Sequence, residues 1–496
     1  MAKNWGQLIQ YMETASQAGR GDTVRKDLKS LNTSKVPRAY RSTLANLARR
    51  SGLPLIGIRL LNPIIRSDKP MDEKPRAEEI SEYAVSLLNI GAVDEAQILL
   101  ENLDSQKFPS VLLYRSFIRF SRWQYHLTLN DLATYCHLVE DPYQVQVGKV
   151  NWAAALVFAA EFAQAEGILS QLREELKQSE KWRLLGNALE LSAQVALGLR
   201  QWVLAKSYLE QARSLLGQGE GLNDFFVRKW EALLQLHEQP QSVPARFLVH
   251  QLKDEAKRLY HWESVRDFDF YLATLGGDEE LFLRVYFGTP HAIYREHILA
   301  KTKGRWQLPD NYRVQPIAGD CTSFPVWDLV EGKLVGGSKP RRVKPGQLFH
   351  RSLGLLGQDL YHPKPMATLF AELFPGEYFN PNTSPDRVYQ VIRRLKAWLS
   401  RSKMGIAIGS RHGGYHLILR GPTGLLLRNC NTTQSAEEIF CSRLKQRCPE
   451  GFNSRQASEV LGISRTAFQR WLDWAHRERL LVRQSAGPHT NYKWLN

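Results

Sequence analysis

On a wheel of 100° per residue, Asp386, Gln390, Arg393, Arg394, Ala397 and Arg401 fall on one side of a helix expected over 384–400. The opposite side is an apolar stripe of Val388, Val391, Ile392, Leu395 and Leu399. Arginine carries a planar fork of donors that grips a phosphate or the O6/N7 edge of guanine, and glutamine matches adenine. Ala397, small and near the middle, lets the backbone approach a surface. A second set, Arg465, Thr466, Gln469, Arg470 and Arg477, lies on another expected helix from 465 to about 479. The chemistry in both places is recognition of a polyanion. The plainer alternative is a solvated basic face, which is common on soluble helices.

Covalent chemistry finds no support. The sequence contains no G-x-x-x-x-G-K-[ST], no H-E-x-x-H and no G-x-S-x-G. Gly336-Gly337-Ser338-Lys339 lacks the spacing of a phosphate loop and reads as a turn. His291 and His297 flank Glu296, but a separation of six puts them on different helical faces. Cys136, Cys321, Cys430, Cys441 and Cys448 include no C-x-x-C pair and read as reduced thiols. We therefore expect no enzyme, no catalytic residue, no metal and no cofactor. The N-terminus lacks an apolar core of signal-peptide length, and the longest apolar stretch, 152–160, stops at Glu161. A cytoplasmic protein without membrane contact is expected.

Charge shows where a polyanion would bind. The 496 residues carry 66 Lys/Arg and 50 Asp/Glu, a net +16. Residues 305–496 hold 28 Lys/Arg against 14 Asp/Glu, leaving only +2 on residues 1–304. Residues 384–420 alone hold eight Lys/Arg and one Asp. A neutral portion thus precedes a basic one.

The neutral portion, 1–304, reads as helical hairpins. Tyr83, Leu87 and Leu88 line one helix, Gly91 ends it, and Ala96, Leu99 and Leu100 line the next. Val150 to Leu176 and Trp182 to Leu216 repeat the pattern, with turns at Ala159-Ala160-Glu161-Phe162-x-x-Ala165 and Leu197-Gly198-x-x-Gln201-Trp202-x-x-Ala205. Weaker units are expected at 38–64 and 108–139, further helices from 222 to 303, and a capping pair at 4–31. A single hairpin cannot bury its apolar face, so hairpins stack. Gly at the turn, an aromatic soon after and a small Ala resemble the tetratricopeptide (TPR) signature, with drift from a strict 34-residue period. Such an array serves as a sensor for a protein, peptide or small ligand, or as a scaffold or dimerisation arm. Trp123, Trp152, Trp182, Trp202 and Trp230 read as core rather than a ligand cage.

From 305 the pattern changes. Short strands are expected at Tyr312 to Ile317, Phe324 to Leu329 and Lys333 to Val335. Helices follow at Gly346 to Leu360 and Met366 to Leu373, then the helix that opens at Ser384-Pro385. A hairpin, Met404 to Leu419, turns at Gly413-Gly414. Strands, three helices and a terminal hairpin make a winged helix. The stretch Leu373-Phe-Pro-Gly-Glu-x-Phe, Ser384-x-x-Arg387-Val388-Tyr389-x-x-Ile392-Arg393-Arg394-Leu395 and Gly409-Ser-Arg411-His-Gly-Gly414-Tyr415 resembles the OmpR/PhoB-type DNA-binding domain of bacterial response regulators. The resemblance implies that the helix at 384–400 reads the major groove and the hairpin enters the minor groove. It makes Arg387, Gln390, Arg393 and Arg394 groove candidates and Arg411 the wing candidate. His412 departs from the family's usual Gly, and no receiver domain precedes the module.

After the Arg420-Gly-Pro-Thr-Gly linker comes an apolar strand, Leu425 to Leu427. Helices are expected at Ser435 to Cys448, from Asn453/Ser454 to Leu461, and from 465; strands at Leu480 to Ser485 and Asn491 to Leu495 close the chain. Leu461-Gly-Ile463-Ser464-Arg465-Thr466-x-Phe468-x-Arg470-Trp-Leu472 resembles a bacterial winged helix-turn-helix. The expected architecture is an all-α TPR-like solenoid (1–304) followed by two α+β winged-helix domains (305–422 and 433–496). The function this implies is a transcriptional regulator that binds double-stranded DNA sequence-specifically, with a protein or peptide partner on the helical domain and a homodimer as a further state. The competing reading is a scaffold subunit whose winged helices contact other proteins.

Overall fold

A computed structural model describes residues 4–17, 21–67, 73–216, 222–316, 324–411, 413–428, 436–461, 463, 465–484 and 490–495. The chain divides into two compact units. The first comprises 1–307, 365–388 and 412–414; the second comprises 308–364, 389–411 and 415–496.

Most of the first unit is an array of helical hairpins, in which successive helices pack in pairs. Arg38–Arg50 precedes Pro54–Ile65, Ala77–Asn89 precedes Val93–Glu101, and Ser110–Ser121 precedes Leu129–Leu138. Three longer pairs follow: Pro142–Phe158 with Phe162–Gln178, Trp182–Gly198 with Trp202–Leu216, and Leu222–Glu238 with Val243–Arg258. Trp262–Gly276, Glu279–Phe287 and Ala292–Thr302 complete the array, and Trp5–Gln17 with Gly21–Lys29 stands at its start.

The long hairpins keep a register of 40 residues, not 34. The second helix buries Ala165, Leu169, Leu172 and Leu176 in one hairpin, Ala205, Leu209, Ala212 and Leu216 in the next, and Ala245, Val249, Leu252 and Ala256 in the third. Each set is spaced 4, 3 and 4, the seam that one helix face presents. Helices of 15 to 17 residues account for the longer period.

The turns close by one device. The N–H of Glu161 reaches Leu156 O at 2.9 Å, that of Gln201 reaches Ala196 O at 2.8 Å, and that of His261 reaches Ala256 O at 2.8 Å. This six-to-one closure puts the preceding residue in the left-handed region: Ala160 (φ 63°), Arg200 (φ 60°) and Tyr260 (φ 62°). Gly91 (φ 92°) fills that position as expected. Gly198 does not, because Arg200 takes the turn. Gly198 is needed for close approach: a Cβ there would lie 2.4 Å from Phe162 Cζ. Gly198→Ala is therefore expected to destabilise the chain by about 1–3 kcal/mol through overpacking, read as a lower Tm. Phe162→Leu in the same chain should recover part of the loss.

Among the tryptophans, Trp123 and Trp230 are buried, and Trp152 packs against the cluster of Leu132, Tyr135 and Ala155. Trp182 is 50% exposed and is not core, because it opens its helix where no earlier turn covers it. Trp123 meets Tyr294 with ring centroids 4.2 Å apart, bringing helices distant in sequence together.

In the second unit, a four-stranded sheet runs in the order Asn311–Val314, Gly424–Arg428, Val326–Asp328, Lys333–Val335. The strand expected at Leu425 to Leu427, just after the linker, is thus an inner strand. It pairs antiparallel with Asn311–Val314 (Tyr312 opposite Leu427) and parallel with Val326–Asp328. Gly424 allows the approach, since a Cβ there would sit 2.3 Å from Val314 O. The first expected strand is shorter than read, ending at Val314, and Ile317 lies outside the described residues. The second spans only Val326–Asp328. Buried Asp328 pairs with Arg428 and accepts the Val330 and Glu331 N–H groups at 3.0 Å, tying the sheet to its turn.

The helix expected at Gly346 to Leu360 spans Leu348–Gly357. The last residues fold around their own core of Leu444, Phe452, Ala457, Leu461, Phe468, Trp471, Leu472, Ala475 and Leu481. Helices Ala436–Arg447, Ser454–Leu461 and Arg465–Arg477 carry it, with a three-stranded sheet ordered Phe452–Asn453, Asn491–Trp494, Leu481–Arg483. Asn453 and Gln456 cap the middle helix reciprocally, each side chain accepting the other's N–H at 2.9 Å.

Candidate nucleic-acid interface

The helix Ser384–Ser402 carries an exposed basic face. Val388, Val391, Ile392, Leu395 and Leu399 are buried, as the wheel requires. Trp398, which the wheel leaves unassigned, anchors the same helix between Trp327 (ring centroids 5.9 Å) and Phe349 (6.4 Å). Burying one side fixes the rotation of the helix and leaves Asp386, Gln390, Arg393, Arg394, Ala397 and Arg401 exposed. Among the described residues, no hydrogen bond, ion pair or ring contact engages Gln390, Arg393 or Arg394. Arg401 turns back along its helix, its Nε donating to Ala397 O at 3.3 Å.

Arg387 differs. Its guanidinium is bonded to the Glu377 carboxylate, with Nη2 to Oε1 at 3.0 Å and Nη1 to Oε2. It also lies 3.9 Å above the Phe374 ring centroid. The Glu377 hydrogen bond raises the Arg387 pKa, and the same bond lowers that of Glu377.

Strands Ile406–Arg411 and Gly414–Leu419 form a hairpin with Gly413 (φ 73°) in its turn. Arg411 is exposed near the tip, and His412 lies outside the described residues. Burial, with the Arg411 charge second, holds the His416 imidazole below its usual range. Two residues missed in the sequence join the rim of the basic face. Tyr389 is 57% exposed, and Lys396 is exposed with its Nζ 5.9 Å from the Tyr415 ring centroid. The wheel places both in the gap between the basic face and the apolar stripe, at about 300° and 280° when Asp386 is set to 0°.

On the helix Arg465–Arg477, Phe468, Trp471, Leu472 and Ala475 face the core, and Gln469, Arg470 and Arg477 are exposed. Two of them already have partners on the helix. Gln469 Nε2 donates to Asp473 Oδ1 at 3.1 Å, and Arg477 Nε to Asp473 O at 3.4 Å. The side chains of Arg465 and Thr466 lie outside the described residues, as do Gly462, Ser464 and the Gly487-Pro488 turn.

The helical array has a polar cluster of its own, contributed mainly by the first helices of consecutive hairpins, with Trp202 from the start of a second helix. Trp202 stacks on His237 (5.3 Å), and Tyr271 lies edge-on to both His237 and Trp230. Lys229, almost fully buried, pairs with Asp267 at 2.7 Å. Gln194 donates to Glu190 at 2.7 Å, and burial raises the Glu190 pKa. Lys301 has an exposed side chain, yet surrounding protein lowers its pKa. Such a cluster brings together aromatic faces, a buried carboxyl group and an ammonium group.

Burial pushes His237 and His297 down to about 4. Arg200 and Lys301 add to the shift at His237; at His297 Lys301 adds and Asp267 opposes. The unfolded imidazoles titrate near 6.5, so from pH 6.5 down to about 4 the unfolded chain binds protons that the folded chain refuses. Stability is thus unaffected by these groups above pH 7 and lost as the pH falls through that window. The Tm is expected to drop between pH 6.5 and 4.5, and a chain with His237→Gln and His297→Gln should show a shallower drop.

Among the described residues no three His, Cys, Asp or Glu side chains are placed to hold a metal ion, and no helix is long and apolar enough to cross a membrane. Cys136, Cys441 and Cys448 are half-buried thiols; Cys321 and Cys430 lie outside the described residues.

No family model matches the chain, and no curated protein matches it. Solved structures similar to part of it include the following three. One is a kinesin light chain protein with nearly identical TPR-like repeats from Podospora anserina, at 18% identity and a TM-score of 0.30, covering 38% of this chain and 100% of that one. Another is a Rap protein complexed with competence and sporulation factor, at 12% identity and 0.41, covering 60% and 87%. The third is the Rap conjugation gene regulator of plasmid pLS20 in complex with the Phr* peptide, at 10% identity and 0.38, covering 61% and 96%.

Proposed function

We propose that this chain is a non-catalytic transcriptional regulator that binds double-stranded DNA through two winged-helix modules, the first of the OmpR/PhoB type. The observation that carries the reading is the Ser384–Ser402 helix. It buries one apolar stripe completely and presents Gln390, Arg393 and Arg394 on the other side, their side chains without partners among the described residues. A helix of this kind fits a major groove, where arginine and glutamine read base edges and neighbouring cations neutralise phosphates. The Arg465–Arg477 helix supplies a second, weaker reader through Arg470, with Arg465 and Thr466 near its start. Two readers on one chain favour a long or bipartite site even for a monomer. The net +14 on residues 305–496 supports DNA over protein as the partner of these modules. In this reading the protein acts at the nucleoid, and the helical array takes a protein or peptide partner or a second copy of the chain.

Selection of bound duplexes from a random pool tests sequence specificity. An enriched motif in two segments supports the proposal. Recovery of the pool unchanged would contradict sequence-specific reading while leaving non-specific binding to be measured separately.

A further inference from the structure

Loop 374–383, which leads into the Ser384–Ser402 helix, is held from two sides within the first unit. Glu95 of the helical array accepts the Phe379 N–H at 2.8 Å through Oε2, while its Oε1 takes Arg66 Nη2 at 2.6 Å. The Arg66 guanidinium lies 5.1 Å from the Tyr378 ring centroid. One helix earlier, Thr368 Oγ1 donates to Gly91 O at 2.8 Å, at the turn between Ala77–Asn89 and Val93–Glu101. Gly91 leaves no room for a side chain, since a Cβ would lie 2.4 Å from Thr368 Oγ1. Phe379 is buried against Phe370 (5.8 Å).

The same loop holds Arg387. Glu377 occupies both terminal nitrogens of the guanidinium, and Phe374 covers its face. A guanidinium has one planar fork, so Arg387 cannot grip Glu377 and also a phosphate or a guanine edge in bidentate fashion. The pair is half exposed on both sides, the class of ion pair that contributes little and opens easily. Arg387 is thus withheld by a weak latch on a loop that is itself firmly pinned.

We infer that loop 374–379 is a regulatory clasp: Glu377 and Phe374 keep Arg387 from DNA, and the Arg66–Glu95 pair of the helical array holds the loop in that state. This rests on the DNA-binding reading above. It gives the neutral array a means of control. A partner that draws Glu95 away from the Phe379 N–H loosens the loop, frees Arg387 and strengthens DNA binding.

The test uses the full chain and a labelled random-sequence duplex, with affinity read by fluorescence anisotropy at one salt concentration. Glu377→Gln and Glu95→Gln are each expected to bind about threefold more tightly than the parent, the gain that opening an exposed ion pair can return. Removing any acidic group near DNA raises affinity electrostatically, so both are repeated with Arg387→Ala. A clasp predicts that the gain disappears in that background, because the released group is then missing. An equal gain with and without Arg387 overturns the clasp, and so does no gain in either variant. If the parent and every variant fail to bind even at low salt, the DNA-binding reading falls and the clasp with it. Parent binding with unchanged variants removes the clasp alone.

Discussion

Replacing Arg393 and Arg394 together by Ala lowers the affinity of the full chain for its DNA site about a hundredfold. Each bidentate arginine contact contributes roughly 1–3 kcal/mol, and two at the lower middle of that range give a factor of 100. Both side chains are exposed and have no partner among the described residues, so the Tm should stay within about 1 °C of the parent. The single variant Arg394→Ala separates two roles. A loss confined to one position of the site means a base contact, whereas an equal loss on every sequence means a phosphate contact. Arg401→Ala, whose guanidinium turns back on its own helix, should cost less than either.

Lys229→Met is expected to destabilise the first unit by about 3 kcal/mol, measured as a shift in the urea midpoint with unchanged slope. Lys229 is 4% exposed and its ammonium bonds Asp267 at 2.7 Å and Ser264 Oγ at 3.3 Å. Methionine keeps most of the volume and leaves the Asp267 carboxylate without its counter-charge. The Asp267 side chain is 18% exposed, so water recovers part of its solvation and the cost stays at the lower end for a broken buried pair. Adding Asp267→Leu removes the stranded charge and should restore most of the loss. That recovery distinguishes an ion-pair effect from a packing defect.

Much of the helical array is legible in the amino-acid pattern, because burial in a stacked hairpin imposes a spacing of 4, 3 and 4 that Leu, Ala and Val report directly. The turns are less legible. Gly198 looks like a turn residue but serves close packing against Phe162, while the turn falls to Arg200, whose side chain gives no sign of a left-handed backbone. Non-local pairing is the hardest to read. Leu425 to Leu427 reads locally as an apolar strand beyond a linker, and only its distant partners at 311–314 and 326–328 make it an inner strand. The basic face on Ser384–Ser402 follows from periodicity alone. That Arg387 is spoken for does not, since Glu377 lies ten residues away and in a different element. Tyr389 and Lys396 fall between the two faces of the wheel, so periodicity alone assigns them to neither.

DNA binding by the two basic faces is decided by the affinity of the intact chain for duplex DNA across a salt series. Six or more phosphate contacts from the two basic faces predict tight binding at 50 mM salt and a loss of about a thousandfold by 200 mM, linear in log–log form. Negligible affinity at 50 mM, or binding that does not respond to salt, would contradict the account and return the basic faces to contacts with other proteins.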